Sequence, residues 1–169
     1  MTTLTDIVHN MDIVSGILPL DLQTARTGDW VSLKNYSACA IVFFKGAGTA
    51  GDDPDLDIDQ ASDVAGTGAK AASVIDLIYK KQGTLTAVGT FTKVTQTASD
   101  AFSADATSAE EEAIYVIIVD PAKLDVDNGF DCIRANIADV GVNAQLGCVL
   151  YLLFGPRYGQ QPLISAIAD

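Results

Sequence analysis

The sequence predicts an all-β fold, an antiparallel β-sandwich of the jelly-roll kind with extended arms at both ends. Apolar residues alternate with polar ones or form short runs, β-branched residues are frequent in these segments, and no long stretch has the periodicity of a helix. With 169 residues, the chain has the size of one domain that buries its core without disulfides. We therefore expect an N-terminal arm over residues 1–13, one sandwich domain over 14–158 and a C-terminal tail over 159–169.

Nine segments carry the strand pattern, and they recur at the spacing of a sandwich rather than of βαβ units. Residues 97–112 are rich in Ser, Thr, Ala and acidic side chains and are predicted to form an exposed loop. Asp120 and Pro121 predict one helical turn, with Asp120 as N-cap and Pro121 at the first position. The predicted strands are 14–22, 30–33, 39–45, 55–60, 73–80, 85–96, 115–119, 131–137 and 145–154.

Two of these strands are apolar almost without interruption, over residues 39–44 and 149–154. A strand of this kind needs cover on both faces. One face meets the core of the sandwich, and the other is expected to meet a further sheet element or another subunit. This is the first indication of a homo-oligomer.

Both ends of the chain carry apolar residues where termini are normally polar. In the arm these residues fall at helical spacing, which favours a short amphipathic segment lying across a neighbouring subunit. The interface candidates at the two ends are Leu4, Ile7, Val8, Met11, Leu163 and Ile164.

Composition excludes several classes of function. The chain has 22 acidic and 10 basic residues, a net charge of −12, so we expect neither nucleic acid nor an anionic membrane surface as a partner. No apolar run is long enough to span a bilayer, and the start lacks a signal-peptide pattern, which indicates synthesis in a cytosol-like compartment. Cys39, Cys132 and Cys148 are expected to be free thiols, with a bridge between Cys132 and Cys148 left open.

Residues 60–70 resemble a phosphate-binding loop only superficially. Gly66 and Gly68 are two positions apart, Ala69 precedes Lys70, and Ala71 stands where a magnesium-binding hydroxyl is needed. The dinucleotide pattern fails as well, because Ala71 occupies its third glycine position. A tight turn between two strands is the better interpretation.

Catalytic and metal-binding patterns are also weak. His9 is the single histidine, which disfavours a histidine metal site and a Ser-His-Asp triad, so we expect neither an enzyme nor a cofactor. Asp53, Asp55, Asp57 and Asp59 alternate with apolar residues and line one face of a strand. They are candidate calcium ligands, but the spacing of a calcium-binding loop is missing, and a solvated strand edge that discourages pairing is the preferred interpretation.

Trp30 is the one tryptophan, and it is expected to anchor a core or an interface rather than to stack on a sugar. Arg157 and Tyr158 follow an apolar strand and a Gly-Pro pair. They are expected to form a surface turn, with a subunit contact as the sharper alternative.

The sequence resembles small virion proteins of tailed bacteriophages that are encoded among the head and neck genes. The resemblance extends from about residue 14 to the C-terminus, and no matching stretch is a catalytic motif. The stretches are WVSLKNY (30–36), QASDVAGTGAK (60–70), LDVDNGFDCIR (124–134), Arg157 with Tyr158, and AIAD (166–169).

The resemblance implies a structural protein of the virion, made in the host cytoplasm and placed on the capsid surface. It implies a decoration or cement protein that binds the major capsid protein, and the expected oligomeric state is a homotrimer. Two alternatives stay open at this point. One is a neck or tail protein, and the other is a module that binds host-surface carbohydrate through the loops 46–55 and 97–112.

Overall fold

A computed structural model describes residues 9–52, 54–83, 89–103, 111–138, 141–158, 163 and 165–168. Within these residues the chain forms two antiparallel sheets that pack face to face. The predicted all-β sandwich is therefore confirmed, whereas the arms lie mostly outside the described residues.

Sheet A has six strands, which run in the spatial order β1-β12-β4-β10-β7-β8. The first and last strands of the chain are thus neighbours, and β12 lies between β1 and β4. The bounds are β1 Met11–Asp21, β4 Tyr36–Lys45, β7 Ile75–Gln82, β8 Thr92–Ser99, β10 Ala113–Val119 and β12 Leu146–Pro156.

Sheet B is shorter and is built around two strands, β11 and β5. On one side β2 and β3 pair with β11, and on the other side β6 and β9 pair with β5. The bounds are β2 Arg26–Thr27, β3 Val31–Ser32, β5 Asp55–Ala61, β6 Lys70–Ala71, β9 Ala101–Ser103 and β11 Cys132–Ile137.

The connections between the sheets follow the jelly-roll order. From β1 the chain passes to β2 and β3 in sheet B, returns to β4, and then crosses to β5. From β9 onward it alternates again, through β10, β11 and β12. The strands β7 and β8 extend sheet A beyond β10, which makes this sheet wider than sheet B.

The core lies between the sheets and is built from alternate residues of each strand. Sheet A contributes Ile41, Phe43 and Val149, and sheet B contributes Leu56 and Ile133, all at most 1% exposed. Burying a side chain of this size stabilises the fold by about 1.5–3 kcal/mol. The period-2 pattern of the sequence therefore reports which residues face this core.

Tyr151 of β12 connects the two sheets through its hydroxyl group. The backbone N–H of Ala135 in β11 donates to the Tyr151 oxygen over 2.7 Å, and the hydroxyl donates to the carbonyl oxygen of Asp29 over 3.1 Å. Burial raises the pKa of Tyr151 far above its ordinary value. The tyrosine therefore stays neutral and ties the sandwich together.

The predicted helical turn is present as a short 3₁₀ helix, η1, at Pro121–Lys123. Asp120 is its N-cap, and its carboxylate accepts a hydrogen bond from the N–H of Ala122 over 2.9 Å. A second 3₁₀ helix, η2, spans Val126–Asn128 and ends at Gly129, which has a φ of 81°. These turns lead the chain from sheet A to sheet B.

Several sequence predictions differ from the structure, including the strand predicted over 85–96, whose described part begins only at Thr92. Strand β1 begins at Met11 rather than at residue 14, because Met11 and Ile13 pair with β12 opposite Phe154 and Leu152. The loop predicted over 97–112 is wrong at its start, since β8 continues to Ser99 and β9 follows. Phe102 of β9 packs against the core, with its ring 5.2 Å from that of Tyr115. One aromatic side chain thus orders a segment whose composition is polar.

Candidate functional site: an apolar sheet face

The side of sheet A that points away from the core is apolar. In an antiparallel ladder, residues opposite each other share a face, so the registers define rows across the sheet. The central row runs from Leu150 through Val42 and Val116 to Tyr79. A second row joins Ile13, Leu152, Ala40 and Ile118, and a third joins Cys148, Phe44 and Ile114. We call this surface, together with Phe154 beside Met11, the sheet A outer face.

Large apolar side chains are exposed across this face. Ile13 is 53% exposed, Phe44 43%, Ile118 41% and Leu150 37%. Isolated apolar residues are common on protein surfaces, but a contiguous set spanning four neighbouring strands is typical of an interaction surface. The arrangement therefore marks the sheet A outer face as the candidate functional site.

The three central strands of this face, β12, β4 and β10, contain no acidic residue over their described ranges. Their one charged residue is Lys45, which is fully buried on the core side and donates from Nζ to the carbonyl oxygen of Glu111 over 2.7 Å. Charges lie at the borders of the face: Lys81 and Lys93 share it with Ile114 and Tyr79 on the β7–β8 side, and Asp21 lies opposite Leu146 on the β1 side. In a chain with 22 acidic residues, the centre of this face is thus uncharged.

One corner of the face contains a small cleft with a volume of ≈ 180 Å³. Its walls offer no polar surface, so it suits an aliphatic or aromatic side chain of a binding partner. Gly147 forms part of the wall, and a Cβ there would come within 2.5 Å of Leu22 Cδ1. The cleft is lined by Pro19, Phe44, Gly46, Leu146, Gly147 and Cys148.

The two apolar runs have the predicted core side, but among the described residues no further sheet element covers their other side. Alternate residues of β4 and β12 are buried in the core, and the others line the sheet A outer face. The sequence analysis predicted a strand over 115–119 but did not count it among these apolar runs, although the seven residues of β10, AIYVIIV, form a third run of the same kind. Ile114, Val116 and Ile118 of this run lie on the sheet A outer face. The unbroken apolar run could have identified β10 as a third strand with an apolar outer side.

The interface candidates at the chain ends divide into two groups. Leu4, Ile7, Val8 and Ile164 lie outside the described residues. Met11 joins the sheet A outer face, and Leu163 is half-buried. Near Leu163, the buried Ala166 accepts a hydrogen bond from the N–H of Ser32 over 2.7 Å, which fixes the tail beside β3.

Trp30 packs within its own chain. The guanidinium of Arg134 lies 4.5 Å from the centre of its ring, and a Cβ at Gly66 would come within 2.7 Å of its indole nitrogen. Beside it, Ile167 and Val64 line a groove of ≈ 350 Å³. The tryptophan therefore supports the turn that follows β5.

Arg157 and Tyr158 lie just after β12, at the end of the sandwich. The Arg157 N–H donates to the carbonyl oxygen of Asn35 over 2.8 Å, and its Nε donates to that of Tyr36 over 3.1 Å. Tyr158 is 62% exposed. Arg157 also borders an open groove of ≈ 400 Å³ next to η1. The pair thus forms the expected surface turn.

The aspartate row is found on β5, with Asp55, Asp57 and Asp59 pointing outward while Leu56 and Ile58 are buried. Asp53 lies outside the described residues. The interpretation as a strand edge is wrong, because β5 pairs with β11 on one side and with β6 and β9 on the other. Alternation in the sequence identifies the exposed face of a strand but not the number of its neighbours.

The charges of this row are partly compensated. Asp59 accepts hydrogen bonds from Arg134 Nη2 over 2.8 Å and from Asn136 Nδ2 over 2.9 Å. Burial raises the pKa of Asp57, and the nearby carboxylates of Asp100, Asp55 and Asp59 raise it further. Among the described residues, no group of three His, Cys, Asp or Glu side chains is placed to hold a metal ion.

Residues 60–70 form the predicted tight turn, which uses its own polar groups. The Asp63 carboxylate accepts from the N–H groups of Ala65 and Thr67, over 3.0 and 2.9 Å. The hydrogen bond with the Thr67 side chain lowers the pKa of Asp63, and these backbone hydrogen bonds lower it further. Lys70 forms an ion pair with Asp125 and lies 4.0 Å from the centre of the Phe130 ring. The N–H groups and the lysine that a phosphate would need therefore already have partners.

The three cysteines are free, as expected. Cys39 and Cys132 are fully buried, whereas Cys148 is partly accessible on the sheet A outer face. Burial raises the pKa of both Cys39 and Cys148. Within the described residues, no helix is long and apolar enough to cross a membrane.

The chain matches no protein-family model and no curated protein. Among solved structures it is similar to the SPBc2 prophage-derived protein YomS, with 8% identity, a TM-score of 0.42, and coverage of 85% of this chain and 93% of that one. It is also similar to the infectious bursal disease virus VP2 subviral particle, with 10% identity, a TM-score of 0.23, and coverage of 95% and 45%. A third is Desmodium yellow mottle tymovirus, with 8% identity, a TM-score of 0.16, and coverage of 89% and 85%.

Proposed function

We propose that the chain is a structural protein of a tailed-bacteriophage virion, most specifically a decoration or cement protein that stabilises the head by binding the major capsid protein. The observation that carries the proposal is the sheet A outer face, an uncharged apolar surface on an otherwise acidic protein. The resemblance of its sequence to tailed-phage virion proteins supplies the class of partner.

Two further properties support a structural role. The sandwich holds its own residues together without a disulfide, so the fold suits a protein used in many copies as a rigid unit. The net charge of −12 keeps such copies soluble before assembly. We propose a homo-oligomer without catalytic activity or cofactor, and three copies is the number that the resemblance implies.

The test is binding to capsids assembled without this protein. The purified chain is expected to co-sediment with them in a fixed ratio to the major capsid protein and to raise the temperature at which they disrupt. Phe44→Asp places a charge on the sheet A outer face, keeps the copies from joining there, and is therefore expected to abolish the co-sedimentation of the oligomer. Thr27→Asp adds the same charge at an exposed position of sheet B and is expected to bind normally.

Absence of binding by the unaltered chain contradicts the proposal, as does normal binding by a folded Phe44→Asp variant. Imaging of labelled particles separates head from neck. Label distributed over the head supports a decoration protein, whereas label confined to the neck or tail replaces it with a structural protein of that region.

A further inference from the structure

We infer that the sheet A outer face is covered by a second copy of this chain. The inference rests on the proposed structural role and names the surface through which the proposed homo-oligomer assembles. Three properties of the face carry it: its distribution of charge, its composition and its area.

The distribution of charge favours a copy of the same chain. Two copies that each carry a net charge of −12 repel each other, so they join most favourably where neither presents unpaired acidic side chains. The outward positions of β12, β4 and β10 meet this condition. At the rim, Lys81 and Lys93 attract an acidic neighbour. A basic partner would instead favour acidic residues on this face.

The composition points to a permanent contact rather than a transient one. Surfaces that meet a partner only briefly are about as polar as the rest of a protein, whereas interfaces between copies of one chain are more apolar. Here Val42, Leu150 and Val116 form an unbroken apolar row across the three central strands. A row of this kind resembles half of a protein core.

The area is sufficient for a stable contact. Six strands spaced about 4.8 Å apart, with about seven residues each at about 3.4 Å per residue, give a face of roughly 600 Å². Two copies, including the charged rim on β7 and β8, would therefore cover roughly 1,200 Å², which lies at the lower end of the range of specific stable interfaces.

The first experiment measures the mass of the purified chain by sedimentation equilibrium. The unaltered chain is expected to form a dimer or a larger closed oligomer at micromolar concentration. Val42→Asp, at the centre of the face, is expected to weaken self-association at least 100-fold, because each copy brings a buried carboxylate to the contact. Thr27→Asp, the matched control, is expected to keep the mass of the unaltered chain.

A monomeric unaltered chain at about 100 µM overturns the inference, and so does a folded Val42→Asp variant of unchanged mass, with folding checked by thermal unfolding. A second readout needs no substitution. Cys148 lies on the face, while Cys39 and Cys132 are buried and serve as internal controls. Alkylation of Cys148 is expected to speed up at least tenfold when the protein is diluted below its dissociation constant. A rate independent of concentration contradicts the inference.

These outcomes are distinct from failure of the proposed function. A chain that self-associates through this face but does not bind capsids leaves the inference standing and removes the virion role. A monomer that binds capsids does the reverse.

Discussion

The two outer faces of the sandwich share one core but differ in chemistry. On sheet A, the outward residues of β4, β10 and β12 are apolar, with Val42 at their centre. On sheet B, the outward residues of β5 and β11 are ionic or polar, including Asp57, Asp59 and Arg134. The inner residues of both sheets are alike, because the same core selects them.

This difference shows that the outer residues carry the functional information. A sheet with one face in water has polar residues on that face, as sheet B does. The outer residues of sheet A deviate from this rule on four adjacent strands, and the stability of the core does not require them. Four substitutions test this difference between the faces. The first concerns the core that both sheets share, the second the turn over sheet B, and the other two the charged residues on the outer face of sheet B.

The largest effect is expected from the bond that holds the two sheets in register. Tyr151→Phe leaves the Ala135 N–H and the Asp29 carbonyl group without their partner in the core. We expect the free energy of unfolding to fall by about 2–3 kcal/mol. Tyr158→Phe, at an exposed tyrosine, is expected to change it by less than about 0.5 kcal/mol. Denaturant unfolding measures both, and equal effects would contradict the role of Tyr151.

The next effect concerns the turn that covers one side of sheet B. Gly66 and Gly129 have nearly the same φ, 82° and 81°, but a Cβ at Gly66 overlaps Trp30, whereas one at Gly129 meets nothing within 4 Å. Alanine costs about 1 kcal/mol of backbone strain at either site and about 2–3 kcal/mol in total at Gly66. Since Trp30 is the one tryptophan, its fluorescence should shift only in Gly66→Ala. Identical spectra and stabilities would show that the turn does not pack on Trp30.

A smaller effect is expected from the ion pair on the charged face. Asp59→Ala leaves the partly buried side chains of Arg134 and Asn136 without an acceptor, and we expect a loss of about 1–2 kcal/mol. Lys123→Ala removes the more exposed pair with Asp76 and should cost less than Asp59→Ala, because water and salt screen this pair. Thermal unfolding at low and high salt separates the two, because only the exposed pair is strongly screened. If the two variants lost the same stability, with the same dependence on salt, the Asp59–Arg134 pair would be no better shielded from water than the exposed pair.

The smallest effect has the opposite sign. The pKa of Asp57 is raised in the folded chain, so folding disfavours its charged form, and stability increases as the pH falls through that pKa. Asp57→Asn is therefore expected to raise the unfolding temperature at pH 7 by about 1–2 °C, with the difference vanishing below about pH 4. Asp127→Asn, in the exposed 3₁₀ turn, is the control. If Asp57→Asn lowered the unfolding temperature at pH 7, burial and the neighbouring carboxylates would not be disfavouring the charged form of Asp57.

The sequence was sufficient for the local features of the fold. Period-2 patterns located most strands, Asp120 and Pro121 located η1, and the glycines at 66 and 68 located a turn. These features depend on residues close together in the chain, whose preferences are local. Alternation also identified the exposed carboxylates of β5, although the strand was wrongly taken to be an edge.

The arrangement of strands was beyond reach, because pairing between distant segments depends on the whole fold. Nothing in the segment around Ile13 specifies Leu152 as its neighbour, about 140 positions later. The sheet A outer face exists only because β12, β4 and β10 lie side by side. Two of its apolar runs were recognised as needing cover, but the face that they form with β10 required the topology.

The place of β12 between β1 and β4 has a consequence for synthesis on the ribosome. Both neighbours of this strand precede it by about a hundred residues or more. Strand β1 therefore cannot join β4 in sheet A until the segment 146–156 has been translated. Until then, the inward and outward apolar residues of β4 and β10 are both uncovered, which makes the nascent chain prone to aggregation. Truncation before residue 146 should therefore yield insoluble protein, whereas fusing the neighbouring ends of β1 and β12 in a circular permutant should shorten the delay.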